Sequence, residues 1–271
     1  MPRTKDHVIA RNFVPPGHFD GQWNLIVNAC EKCNSTKSQL ENEVAAISMQ
    51  PDAWGRHPEN DHQLASEAMR RAQSVKNSRT GKPLHIPEKP IVSEYDVMPG
   101  LRMTFSLVAP AQLSDDQAFR LAWHQIAAFF YLITYKPDLK LGRRWPGEFL
   151  PIAVVRESDW GNSLMRTFQD LVGPWDHRVH GIAASGYFGV CIKKSPAPRE
   201  LWSWALEWNR TFRVIGFIGS QEAAQDAARS LVWPQMRIRQ TGANSSESFR
   251  LEERMPEGED KLFLPPSLLE A

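Results

Sequence analysis

The hydrophobic and polar positions change rhythm several times along the chain. DHVIARNF, from residue 6, has the apolar centre of a strand, and WNLIVNA, from residue 23, has the apolar run of a second. VPPGHFDGQ between them is rich in Pro and Gly and reads as a loop. CEKCNSTKSQLENEVAAISM follows, with Leu40, Val44 and Ile47 at helical spacing. Residues 1–50 are thus expected as strand, loop, strand, helix. Over 51–90, PDAWGRHPEN reads as loop, DHQLASEAMRRAQSVKNSR as helix, and RTGKPLHIPEKP as a proline-rich linker. Residues 91–264 read as a larger α+β unit. Its strands are expected in LRMTFSLVA, FLPIAVVRE, GYFGVCIKK, the WALEW and FRVIGFIG pair, and MRIRQ. Its helices are a long one opened by Ser114 with Gln117 three residues on, then NSLMRTFQDLV and QEAAQDAARSLVW. The end, from Glu253, reads as loose, with 265–271 as a tail.

Composition narrows the class. The 271 residues are 42% hydrophobic and 23% charged, as in an ordinary globular protein with a sizeable core. A formal charge of +1 excludes a generally basic nucleic-acid binder, so any such surface has to be local. Between residues 62 and 82, five cations (Arg70, Arg71, Lys76, Arg79, Lys82) face one Glu. They suit a solvated helix end, or a phosphate-contacting patch. Three cysteines make no disulfide framework and point to a reducing cytoplasm. The apolar stretch IAAFFYLITY, residues 126–135, is half a membrane span and reads as a buried helix; MPRTKDHVIARN lacks a leader's apolar core. No membrane partner is expected. The tryptophans at 145, 160, 175, 202, 204, 208 and 233 read as core and interface anchors. His18, and the Asp176-His177 pair with His180, read as structural.

Candidate chemistry concentrates near the start. Asp6-His7 lies on the first strand, Asn24 opens the second, and Cys30-x-x-Cys33-Asn34-x-x-Lys37 turns into the helix. This ordered set resembles the HNH nuclease family over roughly residues 5 to 45. The resemblance implies a small ββα-metal finger, followed here by a basic helical connector and a C-terminal α+β domain. It implies hydrolysis of DNA phosphodiester bonds. Such a reaction needs an activated water, a cation on the phosphate and support for the departing oxygen. His7 would be the general base, with a pKa class suited to neutral pH. Asp6 and Asn34 would hold Mg²⁺ or Mn²⁺, Asn24 would orient His7, and Lys37 would face a phosphate.

Family members often carry a second C-x-x-C upstream, completing a four-cysteine zinc site. Only five residues precede Asp6, so Cys30 and Cys33 make half a Zn²⁺ site. Either the missing pair lies upstream of the written start, or two protomers of a homodimer share one zinc, or the cysteines are small buried hydrophobes. Two other readings stand beside the nuclease: a non-catalytic DNA-binding protein that reuses the finger, and an interaction or sensor protein acting through residues 91–264.

Overall fold

A computed structural model describes residues 3–52, 55–86, 91–98, 100–107, 111–145, 147–196, 200–240 and 246–265. The architecture is mixed α and β, as expected for an α+β chain. Strands β1 (Arg3–His7) and β2 (Ile26–Cys30) pair antiparallel, and β2 runs directly into helix α1 (Glu31–Ser48). Helix α2 (His62–Ser74) is capped by the Asp61 carboxylate, which accepts the Leu64 N–H at 2.9 Å. It ends sooner than its sequence suggests. Residues 77–82 fold instead into a tight turn, with Asn77 N–H on the Lys82 carbonyl at 2.8 Å.

A hairpin of β3 (Ile91–Met98) and β4 (Leu101–Leu107) follows, then the long helix α3 (Asp115–Ile133) with Ser114 as its cap. The next elements are β5 (Glu148–Arg156), α4 (Ser163–Val172), β6 (Asp176–Ala183), β7 (Phe188–Lys194), β8 (Leu201–Trp208), β9 (Phe212–Gly219) and α5 (Gln221–Arg229). A short hairpin of β10 (Arg237–Gln240) and β11 (Ser246–Phe249) completes the order. Strands β5 to β9 make one antiparallel sheet in the order β5-β9-β8-β7-β6. No helix among the described residues is long and apolar enough to cross a membrane.

Both faces of the sheet are covered, so its central strands read as continuous apolar runs rather than alternating ones. All eight residues of β9 are buried. Val214 and Ile218 turn to the face holding α3, while Ile215 and Phe217 turn to the face holding α4 and α5. The first face shares a continuous core with the ββα unit: Val8, Phe13, Val44 and Met49 pack in the same cluster as Leu121, Trp204 and Trp208. Phe13 meets Trp208 edge-on at 5.8 Å. Polar ties reinforce the junction. Asn209, at the β8–β9 turn, donates to the Phe13 carbonyl at 3.1 Å and to Ser48 Oγ at 2.8 Å. The Thr211 hydroxyl donates to the Ser48 carbonyl, and the Tyr187 hydroxyl to Asp61.

The expectation of a loose end is corrected as far as residue 265; residues 266–271 lie outside the described residues. Gly161 N–H donates to the Glu253 carbonyl at 2.7 Å. A side chain at Gly161 would put its Cβ 2.3 Å from the Arg254 carbonyl, so only glycine admits the strap so closely. Asp260 joins Glu207 around the buried Arg213 guanidinium, and Leu262 is buried against the α4–α5 face. Leu262→Ala should therefore lower stability by about 2 kcal/mol, at the low end for a buried leucine because a surface strap can settle into the void. Urea denaturation checks it.

Candidate functional site

The β1–β2 ribbon has two distinct faces. Cross-strand partners share a face, and β1 pairs residue for residue with β2 without a register shift. Thr4 and Asp6, with Ala29 and Val27, turn toward α1, and Asp6 is buried. Arg3, Lys5 and His7, with Cys30, Asn28 and Ile26, make the outer face, where Ile26 is 50% exposed. Asp6 and His7 are thus neighbours in sequence on opposite sides of the ribbon. His7 stands at the end of β1, half-buried, and its ring has no hydrogen-bond partner among the described residues.

Lys37 is where the structure departs most from expectation. It does not face outward toward a phosphate. Its side chain is 2% exposed, and Nζ donates to Asp6 Oδ1 at 2.9 Å, Glu41 Oε1 at 2.8 Å and the His7 carbonyl at 2.7 Å. These three acceptors use all three ammonium protons. The cause is helical spacing: Asn34, Lys37 and Glu41, three and four residues apart, share the face of α1 that packs on β1. Burial pushes the Glu41 carboxyl above its ordinary value, against the opposing pull of Lys37.

Asn34 Nδ2 donates to Thr4 Oγ1 at 3.0 Å on the same inner side. Asn24 Nδ2 donates to the Ile9 carbonyl at 2.6 Å, and Val8 N–H to the Leu25 carbonyl at 2.8 Å. Together they brace the turn that follows His7. The Asn24 Oδ1 atom is buried without a partner among the described residues.

A hard divalent cation can be tested against this arrangement. Asp6 Oδ2 and Asn34 Oδ1 each lack a hydrogen-bond partner among the described residues, because Lys37 and Thr4 engage the other atom of each group. Asp6, Glu41 and Lys37 sum to one negative charge. Carboxylate and amide oxygens are the hard donors that Mg²⁺ takes, so the donor chemistry of the two groups suits such an ion. Among the described residues no three His, Cys, Asp or Glu side chains cluster as a metal site, so the protein would supply two ligands.

Cys30 and Cys33 form a disulfide, with Cα atoms 5.2 Å apart. Cys30 also caps α1, its Sγ accepting the Cys33 N–H at 3.0 Å. Cys33 is exposed and Cys30 half-exposed, which corrects the reading of buried small hydrophobes. In this state the pair offers no thiolate to zinc.

The basic patch is redistributed. Arg71 is buried, bonded to Glu67 at 2.7 Å and to the Asn12 carbonyl. Arg70 is exposed but chelates Glu67, at 2.8 and 2.6 Å. The paired arginines hold the Glu67 carboxyl below its usual range. Both are engaged within the protein rather than offered to a phosphate. Lys76, Arg79 and Lys82 are exposed on the turn beyond α2.

Two residues carry no sequence signal and enter the neighbourhood only through packing of α3 on α1. Arg120 is exposed, and His124 is held below the usual histidine pKa by burial first, then by the Lys37 charge, with Asp6 pulling the other way. Burial likewise lowers His57 and His177. An unfolded imidazole takes up its proton near pH 6.5, whereas these three stay neutral to lower pH when folded. The stability they contribute is full above that value and lost as pH falls through it toward their folded pKa values. The urea midpoint should drop on going from about pH 7 to about pH 5.5, and replacing His124 by glutamine should flatten that slope.

No protein-family model, no curated protein and no solved structure matches the chain.

Proposed function

We propose that the chain is a metal-dependent endonuclease of the HNH type that hydrolyses phosphodiester bonds in DNA. One observation carries this reading: the five residues of the ordered set sit on a strand–strand–helix unit, Asp6 and Asn34 on its inner side and His7 at the end of β1 beside the turn that Asn24 braces. The His7 ring, which bonds to no described residue and faces away from Asp6, would take the proton of an attacking water at the end of β1. Asp6 and Asn34 would hold Mg²⁺ or Mn²⁺, which when bound supplies Lewis-acid stabilisation of charge on the phosphate. Lys37 fixes the Asp6 carboxylate and the His7 carbonyl, so it acts by positioning and not by touching substrate. The test is relaxation of supercoiled plasmid. Nicking that needs Mg²⁺ or Mn²⁺ and stops with EDTA supports the reading; intact plasmid with a folded, metal-loaded protein overturns it.

A second reading has its own observation. The Lys37 ammonium already pairs with Asp6, and His7 presents to the opposite face of the ribbon. A finger built this way could serve a protein that binds DNA with steep salt dependence and leaves it uncut.

A further inference from the structure

A cleft of about 790 Å³ lies beside the ββα unit. It is bounded by α1, by the turn after α2 and by the first turns of α3. We infer that this cleft binds the sugar–phosphate backbone of a nucleic acid, with Lys76 and Arg120 as its phosphate contacts; the inference rests on the nuclease reading above and names where its substrate runs.

The lining has the chemistry of backbone recognition. Lys76 and Arg79 come from the turn, and Arg120 from α3. Leu40 and Val75 are its aliphatic side chains; the rest is mainly hydroxyls and amides, the donors that proteins direct at phosphate and sugar oxygens. A protein partner would need an apolar centre that this cleft lacks. Its two carboxylates do not cancel the cations. Glu43 is buried and accepts the Ser78 N–H at 3.0 Å, which fixes it in the wall. Asp116 lies 3.6 Å from Arg120, but both side chains are more than half exposed, and such a pair is weak and readily exchanged for a phosphate. The cations come from separate elements rather than converging on one point, which suits an extended polyanion better than a single small anion.

The cleft anchors substrate away from the cutting residues. Thr36, Gln39, Leu40 and Glu43 line it from the face of α1 opposite the one that carries Asn34, Lys37 and Glu41. A strand held here would run behind the helix that carries Asn34. Of the five cations noted in the sequence, Lys76 and Arg79 line the cleft, and Arg70, Arg71 and Lys82 do not.

The test is fluorescence anisotropy with a labelled DNA duplex over a salt series, in EDTA to prevent cutting. Wild type is compared with Lys76→Glu/Arg120→Glu, with the milder Lys76→Gln/Arg120→Gln, and with Arg229→Glu on α5 as a remote control. Each phosphate contact adds about 0.9 to the slope of log affinity against log salt, so losing two should reduce the slope by about 2. The double reversal should weaken binding at least tenfold, the glutamine pair should do so less, and the control should stay within twofold. All replaced side chains are exposed, so melting temperatures should match wild type. Wild type that binds while both double variants keep its affinity and slope overturns the cleft assignment and leaves the nuclease reading standing. Wild type that fails to bind any DNA overturns both.

Discussion

Replacing Lys37 by methionine should destabilise the protein by about 3–5 kcal/mol, the range for removing one partner of a buried ion pair. Methionine keeps most of the volume and apolar length of the side chain, so the loss is electrostatic rather than a cavity. The ammonium is the cation shared by two buried carboxylates, Asp6 and Glu41, and it also engages the His7 carbonyl. Without it both acids must be protonated or dragged to solvent, and the carbonyl loses its donor. For a chain of this length each kcal/mol corresponds to a few degrees, so the melting temperature should fall by roughly 10 °C. Adding Glu41→Gln to Lys37→Met should recover part of the loss, because one stranded charge disappears. A single variant within about 1 kcal/mol of wild type in urea denaturation would mean that Lys37 does not hold the unit together.

His7→Ala should do the opposite. A positioned general base contributes about 10²–10⁴-fold, so cutting should fall by that factor. Stability should change by no more than about 0.5 kcal/mol, because His7 is half-buried on the outer face and its ring bonds to no described residue. The pair of variants separates two roles that adjoin in space: Lys37 supports the fold beneath β1, and in the proposed nuclease His7 acts from its end. A loss of folding in His7→Ala would assign the histidine to the scaffold instead.

Much of the frame was legible because local pattern and final environment agree. Leu40, Val44 and Ile47 recur at helical spacing and all are buried in α1. Ser114 caps α3 as its pairing with Gln117 suggested, and α4 forms where NSLMRTFQDLV placed it. β5, β7, β8 and β9 are apolar runs because helices cover both sheet faces. β6 was not legible. Asp176, His177, Arg178 and His180 give an edge strand the composition of a loop, and a register shift between His177 and Val179 breaks its alternation. β3 and β11, each one half of a hairpin outside the main sheet, were also missed. The strap from Glu253 to Phe263 reads as polar and charged, and its order comes from partners far away, such as Arg213 and Gly161.

The site divides along the same line. The ordered set from Asp6 to Lys37 could be picked out because it falls within one short stretch of chain. The inward turn of Lys37 could have been suspected from Glu41 four residues on, an i,i+4 pair of opposite charge. That Arg71 is buried and Arg70 occupied depends on Glu67 at three and four residues' distance, a signal outweighed by the count of cations. Arg120 and His124 belong to a helix brought to α1 only by the shared core, and no local pattern announces them.

The most direct measurement of the central claim is single-turnover nicking of supercoiled plasmid in Mg²⁺ by wild type and by His7→Ala, each shown folded by its melting curve. The account predicts nicking by wild type that EDTA abolishes, and a rate at least about 100-fold lower in the variant. Equal rates for the two proteins, or no nicking by either, would contradict it.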